Sequence, residues 1–131
     1  MSNGLITTAS RHSVAETLAR LRAALKQREL TVFAQIDHAT GAASVGMVLR
    51  PTTVVIFGNP KGGTPLMQEA QTTGIDLPLK MLVWEDGFGR AQVSYNDVAW
   101  IAQRHGLGSA GAPAVTALNA ALAAIAQEVT A

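Results

Sequence analysis

The sequence predicts one α+β domain in which a mainly antiparallel sheet carries helices on one face. The chain has 131 residues, enough for one domain with a real core and too few for two. Its segments follow the order strand, long helix, four strands with a short helix inserted, then helices. Because few helical crossovers separate those four strands, we expect antiparallel pairing.

The first two elements are a short strand and an amphipathic helix. Residues Leu5 to Ala9 are β-prone. Ser13 and Glu16 have the spacing of a capping box, which opens a helix over about residues 13–29. Leucines recur along this helix at helical spacing while basic residues occupy its other faces, so one stripe is predicted to be buried.

Two strands and an intervening loop come next. The side chains of Thr31 to His38 alternate in direction as those of a half-buried strand do. Residues Ala39 to Gly46 are small and polar, and we predict a loop or an irregular edge there. Residues Thr52 to Phe57 are mostly apolar and β-branched, which predicts a central strand.

The second half of the chain begins with a turn rich in Gly, Asn and Pro. After it, Thr64 and Pro65 have the form of a helix cap and a first helical residue. The predicted elements beyond that point are a helix over Pro65–Gln71, a connector over Ile75–Pro78, strands over Lys80–Glu85 and Arg90–Tyr95, a helix over Val98–His105, a hinge over Gly106–Gly111 and a helix over 113–129. The heptad spacing in the last helix extends over only two heptads, too few to indicate a coiled coil. A helix that lies on the sheet and a helix-mediated dimer contact are therefore both possible interpretations.

Composition narrows the classes of function. Lys and Arg total 10 against 9 Asp and Glu, and a net charge of +1 is too small for a nucleic-acid footprint. The absence of cysteine excludes disulfides, thiolate metal sites and cysteine nucleophiles. Neither a signal-peptide pattern nor a run of about 18 apolar residues occurs. We therefore expect a soluble cytoplasmic protein with no nucleic-acid or membrane partner.

Four segments match the pattern of one protein family. They are FAQIDHATGA (Phe33–Ala42), LRPTTVVIFGNPKGGTPLMQ (Leu49–Gln68), DLPLKMLVWED (Asp76–Asp86) and VSYND (Val93–Asp97). On these residues the chain resembles the bacterial and archaeal family called domain of unknown function 302, most strongly over residues 33–107. The resemblance implies a fold similar to that of the TATA-binding protein, and a homodimer, but no reaction, cofactor or substrate. Val48 departs from the pattern, which has a polar or acidic residue there, and this weakens a catalytic interpretation.

Residues Arg50 to Thr64 concentrate the groups that could carry chemistry. Glycines, Lys61 and a helix start follow a buried strand, where free N–H groups and the helix dipole attract anions. The spacing is not that of a Walker loop, because Lys61 precedes the paired glycines. A structural turn and a cradle for an anion or small molecule are both compatible with this pattern.

Arg50 and His38 are further candidates near strand ends. A following proline holds Arg50 extended, so its guanidinium could grip a carboxylate or phosphate; the alternative is an internal ion pair with Asp37, Asp76 or Glu85. His38 could act as a base or ligand, or could simply bond to local backbone. No metal-ligand spacing accompanies it, so we predict no metal and no cofactor.

Tyr95 and Asn96 close the last predicted strand. Asn96 and Asp97 could cap the next helix, or Tyr95 could share a rim with Asn59 and Arg50. A strand of this length separates Arg50 from Asn59 by roughly 20 Å. We therefore rank the turn with Tyr95 and Asn96 above Arg50 as the site.

The leading hypothesis is a homodimeric small-molecule-binding or sensor module. Its candidate ligand-binding residues are Phe57, Asn59, Lys61, Thr64, Tyr95, Asn96, His38 and Arg50. One alternative is an enzyme that performs acid–base chemistry on a small anionic substrate, with His38 or Asp37 as the base and Arg50 or Lys61 holding charge. The other is a structural or interaction domain. A pocket that gathers Arg50, Asn59 and Tyr95 would support the first two, and dispersal of those side chains would count against both.

Overall fold

A computed structural model describes residues 3–131, which form one five-stranded sheet with helices. In chain order the elements are β1 (Leu5–Ala9), α1 (Val14–Gln27), β2 (Thr31–Asp37), α2 (His38–Ser44), β3 (Thr52–Gly58), α3 (Pro60–Glu69), a 3-10 turn (Gln71–Ile75), β4 (Leu79–Glu85), β5 (Ala91–Asn96), α4 (Val98–Arg104), a second 3-10 turn (Ser109–Gly111) and α5 (Ala112–Thr130). The sheet order is β1-β5-β4-β3-β2, and each neighbouring pair is antiparallel. The predicted α+β class is confirmed.

The core lies between one face of the sheet and the helices α1 and α5. Its main members are Leu18, Leu21 and Leu25 of α1, Leu122, Ile125 and Val129 of α5, and Val55, Phe57, Met81, Val83, Val93 and Tyr95 of the sheet. The alternate residues of β3 and β4, which point to the opposite face, are only half-buried. The apolar spacing read from the sequence thus places the buried stripe of α1 and the inward face of β3 correctly.

The segment Ala39–Gly46, predicted as a loop or an irregular edge, contains most of the helix α2, so that prediction was wrong. Asp37 caps α2, since its Oδ1 accepts a hydrogen bond from the Thr40 N–H at 2.9 Å. This hydrogen bond is the main cause that lowers the pKa of Asp37. His38 is consequently the first residue of α2 and not the last residue of β2.

The helix predicted to begin at Pro65 begins at Pro60 instead. The side chain of Asn59 accepts a hydrogen bond from the Lys61 N–H at 2.9 Å, and Pro60 occupies the first helical position. Pro65 therefore lies inside α3. The prediction was wrong because Asn59-Pro60 and Thr64-Pro65 are both cap-proline pairs.

Two glycines inside α3 allow close packing with neighbouring elements. A methyl group on Gly62 would lie 3.0 Å from Cδ2 of Leu118 in α5, and one on Gly63 would lie 3.3 Å from Cδ1 of Leu77. Since these contacts are tighter than ordinary van der Waals contact, larger residues would force the neighbours apart. The glycines interpreted as parts of a turn are helical residues in close contact with other elements.

The segment Ser109–Thr130 is long and apolar enough to span a membrane by length and composition. Its residues Leu122, Ile125 and Val129 are buried in the core. The helix α5 contacts α1, α3, α4 and β1. These residues of its apolar stripe therefore pack within the chain, while the apolar window as a whole is 22% buried and most of it lies outside the core.

Candidate ligand-binding site

A cavity of about 590 Å³ opens between the start of α3 and the middle of α5. This volume lies within the range of roughly 300–1,000 Å³ typical of small-molecule sites. The side chains that line its interior are apolar and buried or half-buried: Leu30, Phe57, Met67, Leu77, Leu79, Leu118, Ala121 and Ile125. The interior therefore offers contact area to an apolar molecule.

The floor of the cavity is set by strand register and helix periodicity. Phe57 at the end of β3 is fully buried and lies opposite Leu79 of β4. Leu118 and Ile125 stand two turns apart on α5, so their side chains point the same way. The side of α3 that faces Leu118 carries Gly62, and the absence of a side chain there lets α3 and α5 approach closely at one wall of the cavity.

The rim of the cavity carries its polar groups. The exposed lining residues are Phe33, Asn59, Pro60, Lys61, Thr64 and Pro78. All the polar side chains among them belong to the segment 59–64. Lys61 supplies the charge, and within residues 3–131 its ammonium takes part in no ion pair.

Phe33 reaches the rim through an irregularity in β2. The register between β2 and β3 shifts between Val32 and Ala34, so Phe33 is an extra residue without a partner in the ladder. Such bulges redirect a side chain. The ring of Phe33 comes close to Gly58, where an added methyl group would lie 3.7 Å from Cε2. The bulge thus places an aromatic ring, 53% exposed, at the entrance of the cavity.

The structure brings together four of the predicted site residues and disperses the others. Those that line the cavity are Phe57, Asn59, Lys61 and Thr64. Arg50 lies at the opposite end of β3, where its Nε donates to the Glu85 carbonyl oxygen at 3.1 Å. This backbone contact replaces the internal ion pair that the sequence left open. His38 is exposed on α2, away from Lys61.

Tyr95 and Asn96 also lie outside the cavity. Tyr95 is buried in the core, and burial, with a smaller contribution from the charge of Asp97, raises its pKa. Asn96 borders a small recess beside Lys80. Asp97 caps α4, accepting the Ala99 N–H at 2.8 Å, as the capping alternative predicted.

Arg50, Asn59 and Tyr95 therefore do not share a pocket, and the criterion set from the sequence is not met. The cavity that the structure shows rests on different residues. Apart from Phe57 and the segment 59–64, its lining consists of apolar side chains that the sequence analysis did not single out. No polar spacing marks such residues, so only the packing of α3 against α5 reveals them.

A second group of polar residues was missed entirely. Nε2 of His105 lies 2.5 Å from Oδ2 of Asp76, and Nδ1 lies 2.9 Å from Oγ1 of Thr72. Nη1 of Arg104 lies 2.9 Å from the other carboxylate oxygen of Asp76. We call Thr72, Asp76, Arg104 and His105 the Asp76 cluster. It joins α4 to the connector that supplies Leu77 to the cavity wall.

The Asp76 cluster has the order hydroxyl, imidazole, carboxylate, as in hydrolase triads. Thr72 is exposed, however, and none of the four residues lines the large cavity. Lys80 Nζ donates to the carbonyl oxygens of Asp76 and Pro78 at 3.2 and 3.0 Å, and burial lowers its pKa against the opposing charge of Asp76. The cluster therefore has a structural role, because it holds α4 against the connector that precedes β4. Across residues 3–131, no three His, Asp or Glu side chains are placed to hold a metal ion.

Fold and site together define a small α+β domain with an open apolar cavity. The chain belongs to the family described as domain of unknown function DUF302, whose sequence model matches residues 6–125. This confirms the family indicated by the sequence motifs. The crystal structure of an uncharacterized conserved DUF302 protein from Bacillus stearothermophilus has a TM-score of 0.87 at 19% identity, covers 98% of this chain and 99% of its own, and so shares the fold.

Curated relatives are also similar to this chain. Two proteins named fluoride-specific ion channel FluC 1, from Brucella suis biovar 1 (strain 1330) and Brucella abortus biovar 1 (strain 9-941), are each 48% identical over 118 residues. The matched region covers 90% of this chain but 46% and 44% of those proteins. The chain thus spans less than half the length of the curated relatives that it matches.

Proposed function

We propose that this chain binds a small, largely apolar molecule in the cavity between α3 and α5. One observation carries the proposal: an apolar space of about 590 Å³ stays open to solvent beside the core. Apolar surface in contact with water costs about 25 cal/mol per Å². A ligand that covers this lining therefore gains free energy without any change in the fold.

A ligand screen with two readouts tests this function. A binding compound should raise the melting temperature of the protein progressively with its concentration. It should also shift the methyl NMR signal of Met67, which lines the cavity, and leave that of Met47, which is exposed in the α2–β3 loop. A panel of apolar and amphiphilic compounds that produces neither effect would refute the proposal.

A filled cavity provides the matched control. Ala121 is half-buried in the lining, so Ala121→Phe should occupy the space and abolish binding. Ala124 lies on the same helix, is exposed and does not line the cavity, so Ala124→Phe should bind normally. Equal binding by wild type and Ala121→Phe would place the ligand elsewhere.

The channel name of the Brucella relatives supplies no ligand for this cavity. Fluoride is a small, strongly hydrated anion, and burying it requires polar donors around it. The interior lining here is apolar. The alignment also leaves more than half of each channel protein unmatched.

We also propose that two copies associate through β2. This strand is bonded to β3 alone, so its outer backbone groups have no strand partner among residues 3–131. It carries no Lys or Pro, the residues that usually protect a free edge, and its pairing with β3 is regular from Ala34 to Asp37, beyond the bulge at Phe33. Large apolar side chains are exposed on and after it: Val32, Phe33, Ile36, Val45, Met47, Val48 and Leu49. Identical edges pair antiparallel about a two-fold axis, which favours a second copy as the partner.

The oligomeric state in solution tests this association. Light scattering on wild type should give the dimer mass, and Ile36→Lys should give the monomer, because a charge on the edge opposes pairing. Ile75→Lys adds the same charge at an exposed apolar residue outside β2 and should stay dimeric. A monomeric wild type at high protein concentration would refute this part of the proposal.

A further inference from the structure

We infer that the ligand is a single-chain amphiphile with an anionic head, such as a medium-chain carboxylate, held with its head at Lys61 and its tail in the cavity. The inference rests on the binding function proposed above. It adds the chemical class of the ligand and its direction in the site.

The distribution of polarity in the cavity selects a molecule with one polar end. The inner walls present no polar side chain, whereas Asn59, Lys61 and Thr64 all lie at the rim on one short segment. A ligand polar at both ends would bury a polar group without a hydrogen-bond partner, which is unfavourable. A ligand polar at one end can keep that end at the rim while its chain contacts the walls.

The sign of the charge at the rim selects an anionic head. Lys61 is the charged residue of the lining, and no carboxylate lines the cavity. Its ammonium is in no ion pair within the described residues, so it is available to a ligand. Lys61 also lies in the first turn of the ten-residue helix α3, where the helix dipole favours negative charge.

The shape of the interior suits a flexible chain. Its walls come from separate parts of the fold, and Leu30, Met67, Leu77 and Leu118 represent four of them. The branched leucine side chains make this surface irregular, and the methionine side chain adjusts its shape to different partners. An alkyl chain can follow such a surface by rotating about its bonds, which a rigid planar ring system cannot do.

Three ligands that differ only in the head group test the inference. Decanoate, decanol and decylammonium are titrated into wild type by calorimetry. Decanoate should bind about three- to tenfold more tightly than decanol, as expected for one exposed ionic contact aided by a helix terminus. The preference should shrink at high salt, since salt screens exposed charges.

Charge reversal at Lys61 gives the decisive comparison. Lys61→Glu should lower decanoate affinity at least about tenfold, leave decanol affinity unchanged and favour decylammonium, as expected when attraction becomes repulsion of similar size. Lys26 is exposed on α1 and does not line the cavity, so Lys26→Glu makes the same change in net charge and should leave all three affinities unchanged.

The outcomes separate this inference from the proposed function. If decanol and decanoate bind wild type equally, or if Lys61→Glu changes both alike, the anionic class is wrong while the cavity remains a binding site. If none of the three chains binds but other apolar compounds do, the inference fails and the function stands. If nothing binds and Met67 shows no shift with any compound, both fail.

Discussion

Replacing Asp76 with Ala removes the acceptor shared by His105 and Arg104. The two contacts differ in environment, so they should differ in energy. The His105 side chain is 7% exposed, and Asp76 is 16% exposed. The Arg104 side chain is 49% exposed. Comparing Asp76→Ala with Arg104→Ala therefore separates a nearly buried hydrogen bond from an ordinary surface ion pair at one carboxylate.

The buried contact should dominate the loss of stability. Leaving a buried hydrogen-bonding group without its partner costs about 1–3 kcal/mol, while an exposed ion pair contributes at most about 1 kcal/mol. Asp76→Ala should therefore lower the free energy of unfolding by about 2–3 kcal/mol. Arg104→Ala, which leaves the contact with His105 intact, should lower it by less than about 1 kcal/mol.

Urea denaturation followed by circular dichroism measures these differences. With a slope of about 2 kcal/mol per M, Asp76→Ala should shift the midpoint by about 1 M. Glu128→Ala is the matched control, because it removes an ion pair between Glu128 and Arg28 that involves no histidine. The Arg28 side chain is 31% exposed and the Glu128 side chain is 46% exposed. If Asp76→Ala and Glu128→Ala cost the same, the contact with His105 carries no special weight and the reasoning is refuted.

Two further predictions concern turns. Gly4 has φ of 81° and a methyl group there would lie 2.5 Å from the Trp100 ring, whereas Gly89 has φ of 77° with open space around it. Gly4→Ala should thus lower the melting temperature clearly more than Gly89→Ala, whose backbone strain costs roughly 1–2 kcal/mol. Equal losses of melting temperature would contradict this prediction and show that the Trp100 ring moves aside without cost. Hydrogen bonds, chiefly from the Arg90 backbone, lower the pKa of Asp86 below its ordinary value of 3.8. A lowered carboxyl pKa gives stability that is present above the pKa of the unfolded state and lost as the pH falls through the pKa of the folded state. Asp86→Asn should therefore flatten the acid limb of a curve of stability against pH. An unchanged acid limb would contradict this prediction.

Much of the fold could be predicted because its signals are local and repeated. Leucines at helical spacing fix the inward stripe of α1, and the apolar run Thr52–Phe57 identifies β3 as an inner strand. The errors fall where two local signals compete. Asp37 fits the end of a strand as well as the cap of a helix, and its hydrogen bond to Thr40 makes it the cap.

The competition between Asn59-Pro60 and Thr64-Pro65 has the same character. Both pairs can start a helix, and nothing within the segment decides between them. The packing of Gly62 against Leu118 favours the earlier start, because a helix that includes the glycines can approach α5 closely. That contact joins residues far apart in the sequence, so sequence reasoning alone could not weigh it.

Only part of the candidate site could be predicted from the sequence, for a related reason. Asn59, Lys61 and Thr64 attract attention because their side chains carry chemistry. The rest of the cavity consists of leucines and other apolar residues that look like ordinary core in the sequence. In the Asp76 cluster, His105 and Asp76 are 29 residues apart in the sequence, and no spacing rule links them. A site formed by apolar packing and by contacts between distant residues gives little signal in the local sequence pattern.

The bulge at Phe33 has a consequence for motion. Edge strands open locally at lower free energy than the inner strands of a sheet, and β2 is bonded to one neighbour only. Because Phe33 belongs both to this edge and to the entrance of the cavity, local opening of β2 would also widen the entrance. Exchange of the ligand proposed above would then proceed at the rate of edge fraying while α5 and the inner strands stay folded. A second copy paired along β2 would slow that exchange, linking assembly to the residence time of the ligand.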